Sequence, residues 1–286
     1  MGLHSGDGDN HKMSERPIVA FQGELGAYSE QAVRQHFSPD MATLPCRTFL
    51  SITDALQSGR AQYGMLPVEN SLAGTVIPAY DLLMDYDLHI QAEVILRVEH
   101  CLVAPRGMLL ADVRQVRSHP QALMQCETTL RRMGLEPVEY YDTAGAARDL
   151  AADPQPGMAA IASALAAETY GLDILGHHLE DQDYNFTRFF VLGMAYPARQ
   201  EPSKTSIILT TRHVPGALYA ALGELAQRGI NMTKIESRPR RNRPWHYLFY
   251  VDFEGHEEDE PVREALLGIL RHASFLKVLG SYPAAR

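Results

Sequence analysis

Short apolar strands alternate with helical patterns over the first two thirds of the 286-residue chain, and this alternation limits its fold more than any other feature. Segments such as IVAF (18–21), YGMLPV (63–68) and FFVLG (189–193) are typical of buried strands. Alternating strands and helices predict an α/β domain with a mostly parallel sheet. The other candidate strands are 92–98, 100–104 and 158–162, and the candidate helices are 29–37, 49–58, 121–133, 144–152 and 164–170.

The order of elements changes after residue 204. Strand patterns from TSIILTT (205–211) to FLKVLG (275–280) are interrupted by two amphipathic helices. This βαββαβ order predicts a ferredoxin-like domain. We therefore expect a disordered N-terminal extension at 1–16, an α/β domain at 17–195, a linker at 196–203 and a ferredoxin-like domain at 204–286.

Charge and cysteine content narrow the class of protein. The 26 basic and 35 acidic side chains leave a net charge of −9, which argues against nucleic acid or an anionic membrane as the main partner. Cys46, Cys101 and Cys126 are too widely spaced for a disulfide framework or a zinc motif. No apolar run reaches the roughly 20 residues of a membrane span, and the N-terminus lacks the apolar core of a secretory signal. We expect a cytoplasmic enzyme or regulator.

Five turns that follow predicted strands share a composition, namely a Ser, Thr, Asp or Asn followed by small residues. They are GAYSE, ENSLAGT, SHPQA, DTAGAA and SALAA. Each is a good helix cap in its own right. In an open α/β sheet, however, such turns gather where ligands bind, and helix N-termini present free N–H groups to anions. Together they predict a site for a small compound with more than one carboxylate.

Motifs of other chemistries are missing from the sequence. Neither G-x-G-x-x-G nor a Walker pattern occurs, and no G-x-S-x-G, H-E-x-x-H or close Cys/His pair is evident. We therefore expect no cofactor and no metal, and we interpret GHHLED (176–181) as a solvated loop.

The stretch DYNFTRFF (183–190) places a hydroxyl and a permanent cation, Thr187 and Arg188, at the start of an apolar strand. Arg188 either points at solvent, or both side chains face a pocket that holds an anion, where the guanidinium would bind a carboxylate in a bidentate manner. The second interpretation agrees with the five turns.

The motifs FQGELGAYSEQA, PVENSLAGTV, SHPQALMQC, DTAGAA, AAIAS and NFTRFFVL resemble, in this order, the motif series of prephenate and arogenate dehydratases. PGALY and IESRP are similar to the two signature stretches of the ACT regulatory domain of these enzymes. The similarity covers about residues 17 to 282. No chorismate-mutase segment precedes Pro17, so the chain resembles the monofunctional form.

The resemblance implies a two-lobed α/β catalytic domain like a type II periplasmic binding protein, with the site between the lobes and an ACT domain behind it. Members of the family are carbon–oxygen lyases that remove water and carbon dioxide from a cyclohexadienyl ring, giving phenylpyruvate from prephenate or phenylalanine from arogenate. The resemblance also assigns Thr187 as the donor to the departing ring hydroxyl. A donor of this kind strengthens as negative charge develops on oxygen.

The candidate site residues follow from the turns and from the resemblance together. The catalytic candidates are Thr187, Arg188 and Phe189. The substrate-binding candidates are Tyr28, Glu69, Asn70, Ser71, Thr75, Ser118, His119, Gln121, Thr143, Ala144, Gly145, Ala146 and Ser163. For a phenylalanine effector, shared between two copies in a homodimer or homotetramer, the resemblance implies Pro215, Gly216, Ala217, Leu218, Asn231, Glu236, Ser237, Arg238 and Pro239.

Several alternatives stay open at this point. His119 is either an acid or a neighbour of a helix cap, and Phe189 either flanks the substrate ring or packs in the core, which strand alternation favours. FQGELGAYSE and DTAGAA look closer to the arogenate-accepting branch, so arogenate is the alternative substrate. A cytoplasmic amino-acid sensor without chemistry is the alternative outside the enzyme class.

Overall fold

The computed structural model describes residues 16–240 and 243–285. The predicted N-terminal extension, apart from its last residue, lies outside the described residues. Within the described residues, no helix is long and apolar enough to cross a membrane.

The first lobe is a six-stranded mixed sheet with three helices. Its strands are β1 (Ile18–Gln22), β2 (Ala42–Cys46), β3 (Tyr63–Asn70), β4 (Gly74–Thr75), β5 (His89–Arg97) and β11 (Phe186–Gly193), and its helices are α1 (Tyr28–His36), α2 (Phe49–Gln57) and α3 (Ile77–Asp85). The strand order is β2-β1-β3-β11-β5, and β4 pairs with β3.

The second lobe is a five-stranded mixed sheet. Its strands are β6 (Cys101–Ala104), β7 (Gln115–Ser118), β8 (Glu136–Glu139), β9 (Met158–Ala162) and β10 (Asp173–Gly176), and its helices are α4 (Pro120–Gln125), α5 (Glu127–Met133), α6 (Thr143–Ala152) and α7 (Ala164–Tyr170). A 3₁₀ turn at Leu110–Asp112 precedes β7. The strand order is β10-β6-β9-β7-β8.

Both sheets follow one plan, in which the chain crosses between the lobes twice. In the first lobe β2, β1 and β3 run parallel, and β11 is inserted antiparallel between β3 and β5. In the second lobe β8, β7 and β9 run parallel, and β6 is inserted antiparallel between β9 and β10. The prediction of one mostly parallel sheet is therefore wrong, and the domain has two mixed sheets. Each lobe contains one inserted antiparallel strand, which comes directly after the chain crosses into that lobe. The two-lobed α/β class itself is confirmed.

The predicted helix at 121–133 is two helices, because Cys126 leaves the helical conformation with φ −115° and ψ 10°. The Asp181 carboxylate accepts hydrogen bonds from the N–H groups of Thr128 and Thr129, at 2.8 and 2.9 Å, and so satisfies donors at the start of α5. The break leaves Gln125 at the end of α4, facing the space between the lobes.

The C-terminal domain has the predicted ferredoxin-like topology. Its elements are β12 (Ser203–Thr211), α8 (Ala217–Ala226), β13 (Met232–Arg240), β14 (Arg243–Glu254), α9 (Glu260–His272) and β15 (Ala273–Pro283). The strand order β13-β14-β12-β15 is antiparallel throughout. Ile207, Val251, Phe253 and Ile269 lie in the core between the sheet and its helices.

The second face of this C-terminal sheet packs on the first lobe. Tyr250 and Tyr282 share one buried cluster with Leu83, Ile90 and Phe190. Gly280 approaches the first lobe so closely that an added Cβ would lie 2.7 Å from the Ile90 carbonyl oxygen. The first lobe therefore covers β12, β14 and β15 on this face of the sheet, which holds the domain against the back of β5 and β11.

Candidate active site

A cleft of about 610 Å³ lies between the two lobes, within the range of small-molecule sites. The predicted residues that line it are Tyr28, Asn70, Thr75, His119, Gln121, Thr143, Thr187 and Phe189. Sequence reasoning missed several further lining residues, among them Gln22, Ser29, Phe49, His100, Gln125, Tyr141 and Asp142.

Five helices point their N-termini at this cleft, because residues at or next to the starts of α1, α2, α3, α4 and α6 line it. His119 caps α4 by accepting from the Gln121 N–H at 3.2 Å, and Asp142 caps α6 by accepting from the Gly145 N–H at 2.7 Å. Helix N-termini carry free N–H groups and the positive end of the helix dipole. The cleft is thus suited to anionic groups although its lining residues include no lysine or arginine.

Two of the five predicted turns do not bring the start of a helix to the cleft. ENSLAGT starts no helix: Asn70 ends β3, Gly74 and Thr75 form β4, and α3 begins only at Ile77. SALAA does start α7, but the Ser163 hydroxyl donates to the Gly26 carbonyl at 2.6 Å and is buried between the lobes. Ser163 therefore contributes an interlobe contact and a helix cap, and it does not line the cleft.

Thr187 lines the cleft at the start of β11, directly opposite Asn70 of β3. The Asn70 Nδ2 atom lies 3.0 Å from Thr187 Oγ1, 2.8 Å from Asn185 Oδ1 and 3.1 Å from the Phe186 carbonyl oxygen. On its other side, Asn70 Oδ1 accepts from the N–H groups of Leu72 and Ala73. The threonine therefore stands at the edge of a buried polar network.

This network continues across the cleft. Asn185 Nδ2 donates to Gln125 Oε1 at 2.9 Å, and His100 Nε2 lies 2.8 Å from the same oxygen. The Tyr28 hydroxyl lies 2.7 Å from His100 Nδ1 and 3.0 Å from the Glu99 carbonyl oxygen. Burial raises the pKa of Tyr28 well above its usual range and lowers the pKa of His100, so both side chains are neutral near pH 7.

The prediction that Arg188 faces the same pocket is wrong. Strand alternation sends its side chain to the opposite face of β11, where the guanidinium contacts Glu93, Asp252 and the Tyr282 hydroxyl. Burial opposes the charge of Arg188, but the nearby Asp252 and Glu93 carboxylates hold its pKa above its usual value. Arg188 therefore connects the catalytic domain to the C-terminal domain and does not bind a ligand in the cleft.

Phe189 returns to the cleft side, but it is 1% exposed and belongs to the buried cluster that joins the lobes. It therefore packs in the core and also borders the cleft, and its contact with the substrate ring stays a prediction. Phe186, at the start of the strand, is 40% exposed.

The other substrate-binding candidates lie near the cleft without lining it. Glu69 pairs with Lys234 of the C-terminal domain at 2.9 Å, and the Ser71 hydroxyl donates to the Tyr184 carbonyl. The buried Ser118 hydroxyl donates to the Ile161 carbonyl at 2.7 Å. Ala144, Gly145 and Ala146 are buried in the first turn of α6. Their small size allows close packing, and only Thr143 of that turn reaches the cleft.

The mouth of the cleft widens into a second cavity of about 630 Å³. Arg47 and Arg148 line it together with Glu24, which pairs with Arg148 across the lobes at 2.8 Å. Asp142 lines both spaces, and burial raises its pKa. Two cations that sequence reasoning did not single out, Arg47 on the turn after β2 and Arg148 on α6, therefore lie beside the cleft.

The structure contains a Cys/His pair that the sequence pattern does not show. Cys101 Sγ lies 3.6 Å from His177 Nδ1, across 76 residues of chain. Burial and the neighbouring carboxylates raise the pKa of Cys101 to about 11, so the thiol is protonated near pH 7 and is a poor nucleophile.

The effector candidates fall into two groups. Pro215, Gly216, Ala217 and Leu218 line a cavity of about 590 Å³ at the start of α8. In contrast, Glu236 accepts from the Thr75 hydroxyl at 3.0 Å, and Arg238 pairs with Asp81 at 2.6 Å. The remaining candidates, Asn231, Ser237 and Pro239, are exposed.

The fold and the cleft together define a two-lobed α/β enzyme with a ferredoxin-like regulatory domain. The family model for prephenate dehydratase matches residues 19–196, and the ACT domain model matches residues 205–271. The chain belongs to the prephenate dehydratase family, whose members are lyases, and it carries a C-terminal ACT domain.

Individual relatives agree with this assignment. Arogenate dehydratase/prephenate dehydratase 2 of Arabidopsis thaliana, a chloroplastic protein, is 44% identical over 279 residues, which are 94% of this chain and 73% of the relative. A bifunctional N-acyl-homoserine lactone acylase/prephenate dehydratase of Komagataeibacter europaeus is 42% identical, over 96% of this chain and 98% of the relative. The crystal structure of prephenate dehydratase from Arthrobacter aurescens in complex with L-Phe superposes with a TM-score of 0.85, at 32% identity, over 94% of this chain and 90% of that chain.

Proposed function

We propose that the protein converts prephenate to phenylpyruvate in the interlobe cleft. The single observation that supports this most directly is the Thr187 hydroxyl, which lines the cleft beside Asn70 among five helix N-termini. Prephenate carries two carboxylates, which match the free N–H groups of those N-termini. The cleft volume of about 610 Å³ accommodates a compound of this size.

In the proposed reaction the bond between the ring and its carboxylate breaks and releases carbon dioxide. The electron pair enters the ring, which becomes aromatic as the carbon–oxygen bond on the opposite side breaks. The oxygen leaves as water after taking up one proton. Thr187 donates a hydrogen bond to this oxygen, and the bond strengthens as negative charge develops. The buried Phe189 adds an apolar side chain beside the position proposed for the ring.

Arogenate is the second candidate substrate, and one residue of the cleft favours it. Arogenate differs from prephenate in carrying an ammonium where prephenate has a keto group. Asp142 lines the cleft and provides a carboxylate with which an ammonium could pair. The relatives named for arogenate dehydratase activity are consistent with this candidate.

We also propose that phenylalanine regulates the enzyme at the ACT domain. The cavity at the start of α8 has a volume of about 590 Å³, and Gly216 adopts φ +78° there, directly before the first turn of the helix, where N–H groups can receive a carboxylate. The relative from Arthrobacter aurescens, crystallised with L-Phe, supports the choice of effector. Exposed apolar side chains on the ACT domain, Met232, Ile235, Tyr219 and Leu267, favour a homodimer or homotetramer. The three free cysteines favour a cytoplasmic protein.

The first experiment is turnover of the purified protein on prephenate and on arogenate in parallel, with and without phenylalanine. Phenylpyruvate is read by absorbance and new phenylalanine by chromatography. Faster turnover of prephenate, suppressed by phenylalanine, is the expected result. Preference for arogenate would mean that the same cleft and the same reaction serve arogenate as the main substrate. Absence of turnover on both substrates would refute the proposed function.

A further inference from the structure

The hydroxyl of Thr187 has one proton, and its direction decides whether the residue can act as a donor. The proton points either at the cleft or back at Asn70, whose side chain lies 3.0 Å away and is 8% exposed. Only the first orientation allows Thr187 to donate to a leaving hydroxyl. The contacts of Asn70 decide between these two orientations of the proton.

The amide of Asn70 can take only one orientation. One of its ends faces the backbone N–H groups of Leu72 and Ala73 at 3.1 and 2.9 Å. Both are donors, so this end must be the carbonyl oxygen Oδ1. The other end is therefore the Nδ2 amide, which cannot accept a hydrogen bond and shares its two protons among Thr187 Oγ1, Asn185 Oδ1 and the Phe186 carbonyl oxygen. Because Thr187 accepts from this amide, its own proton is free to point into the cleft that it lines.

The same sequence of donors and acceptors continues through the rest of the network. Asn185 accepts from Asn70 at Oδ1, so its Nδ2 amide donates to Gln125 Oε1. Gln125 Oε1 then accepts from His100 as well, which places the imidazole proton on Nε2. The remaining nitrogen, Nδ1, accepts from the Tyr28 hydroxyl, whose single proton it shares with the Glu99 carbonyl oxygen. Burial lowers the pKa of His100, in agreement with a neutral ring that carries this single proton.

We infer that Asn70 is a positioning residue that directs the Thr187 proton at the departing oxygen. A donor bound to Thr187 Oγ1 also withdraws electron density from it, which makes the threonine a stronger donor as charge develops in the reaction. This inference rests on the proposed function. It replaces direct substrate binding as the role of Asn70.

Asn70→Asp tests the inference because the two side chains have the same shape. Near pH 7 the new carboxylate still accepts from Leu72 and Ala73. Its second oxygen, however, is an acceptor, so it draws the Thr187 proton out of the cleft. We expect kcat on prephenate to fall by roughly 100-fold or more, with a much smaller change in KM. Below the pKa of the new carboxyl, the protonated oxygen can again donate to Thr187, so activity should recover as the pH falls.

The pH series is read as the ratio of variant to wild-type kcat, after subtraction of the uncatalysed rate at each pH. The titratable side chains Tyr28, His100, His119, Tyr141 and Asp142 line the cleft in both proteins, so their effects largely cancel in this ratio. Asn185→Asp is the matched control. It adds the same charge to the network, but its carboxylate accepts from Asn70 as the amide oxygen does, so the Thr187 proton keeps its direction. Only the contact of the second oxygen with Gln125 Oε1 changes, so the loss of kcat at neutral pH should be much smaller than for Asn70→Asp. Thermal denaturation confirms that each variant is folded.

Three outcomes separate the inference from the proposed function. A deep loss for Asn70→Asp with recovery in acid, together with a much smaller loss for Asn185→Asp at neutral pH, supports the inference. Neutral-pH turnover within about threefold of wild type, or a folded variant without recovery in acid, overturns it. If wild-type protein turns over prephenate and Thr187→Ala retains that turnover, the role proposed for Thr187 fails, and the inference fails with it.

Discussion

Arg188 Nη1 lies 2.6 Å from Asp252 Oδ2, and this contact joins the strand that carries Thr187 to the ACT domain. The same guanidinium contacts Glu93 at 2.7 Å, and Glu93 in turn pairs with Lys204 of the ACT domain at 3.0 Å. Two buried carboxylates and two partly buried cations thus lie together at the domain interface. Thr187 faces the substrate cleft, and its sequence neighbour holds the regulatory domain against the back of the same sheet.

Removal of one carboxylate from this network should destabilise the protein. We expect Asp252→Ala to lower the free energy of unfolding by about 3–5 kcal/mol, because it leaves the partly buried Arg188 without one of its two close partners. Urea denaturation measures the change. Arg131→Ala breaks an exposed ion pair with Glu127 and should change stability by less than about 1 kcal/mol. Equal effects of the two substitutions would mean that the buried network contributes no more than a surface pair.

Thr187 should be essential for turnover and dispensable for folding. We expect Thr187→Ala to lower kcat on prephenate by roughly 100- to 1000-fold, the usual effect of removing one oriented donor. Thr187→Ser keeps the hydroxyl and should retain much of the activity. Steady-state kinetics and thermal denaturation are measured together, since a matching loss of thermal stability in the Ala variant would indicate a structural role.

Asp142→Asn should separate the two candidate substrates. An amide still caps α6 by accepting from the Gly145 N–H, so the helix start is preserved. If the Asp142 carboxylate binds the ammonium of arogenate, the substitution lowers kcat/KM for arogenate and leaves kcat/KM for prephenate equal or higher. Competition assays with both substrates measure the ratio. An unchanged ratio would remove Asp142 as a determinant of substrate choice.

Stability should decrease in weak acid because of the buried His100. Burial lowers the folded-state pKa of this histidine. A group whose pKa is depressed by folding contributes stability above its unfolded pKa, about 6.5 for histidine, and loses it as the pH falls through the folded pKa. Urea denaturation between pH 7 and pH 5 should therefore show a falling free energy of unfolding. His100→Gln should flatten this slope by up to about 1.4 kcal/mol per pH unit, the limit for one proton, and equal slopes would contradict the assignment.

Glu236 should transmit the effector signal to the cleft, since it accepts a hydrogen bond from Thr75, which lines that cleft. We expect Glu236→Ala to bind phenylalanine as wild type does, while phenylalanine raises the KM for prephenate severalfold less than before. Calorimetry measures the binding and steady-state kinetics the coupling. If the variant no longer binds phenylalanine, Glu236 belongs to the effector site, as the resemblance implies.

Local sequence patterns determined the fold class, because periodicity and helix caps are properties of neighbouring residues. The alternation up to residue 193 predicts the α/β domain, and the βαββαβ order after it predicts the ferredoxin-like domain. The cap at Asp142 was also recognisable, since it depends on three or four adjacent residues. The SHPQA turn indicated Ser118 as a cap, whereas His119 caps α4 in the structure and the Ser118 hydroxyl donates to the Ile161 carbonyl. The family follows from the ordered motifs alone, because each motif is a short stretch of neighbouring residues.

Only the tertiary structure decided which side of each strand meets which partner. A period of two places Thr187 and Arg188 on opposite faces but does not say which face borders the cleft and which the ACT domain. The contacts that decide this join residues 25 to 115 positions apart. They run from Asn70 to Asn185, from Gln125 to His100 and from Arg188 to Asp252. They form only when the two crossings bring the lobes together and the ACT sheet packs on the first lobe, because a hydrogen bond or ion pair depends on distances that local sequence does not specify.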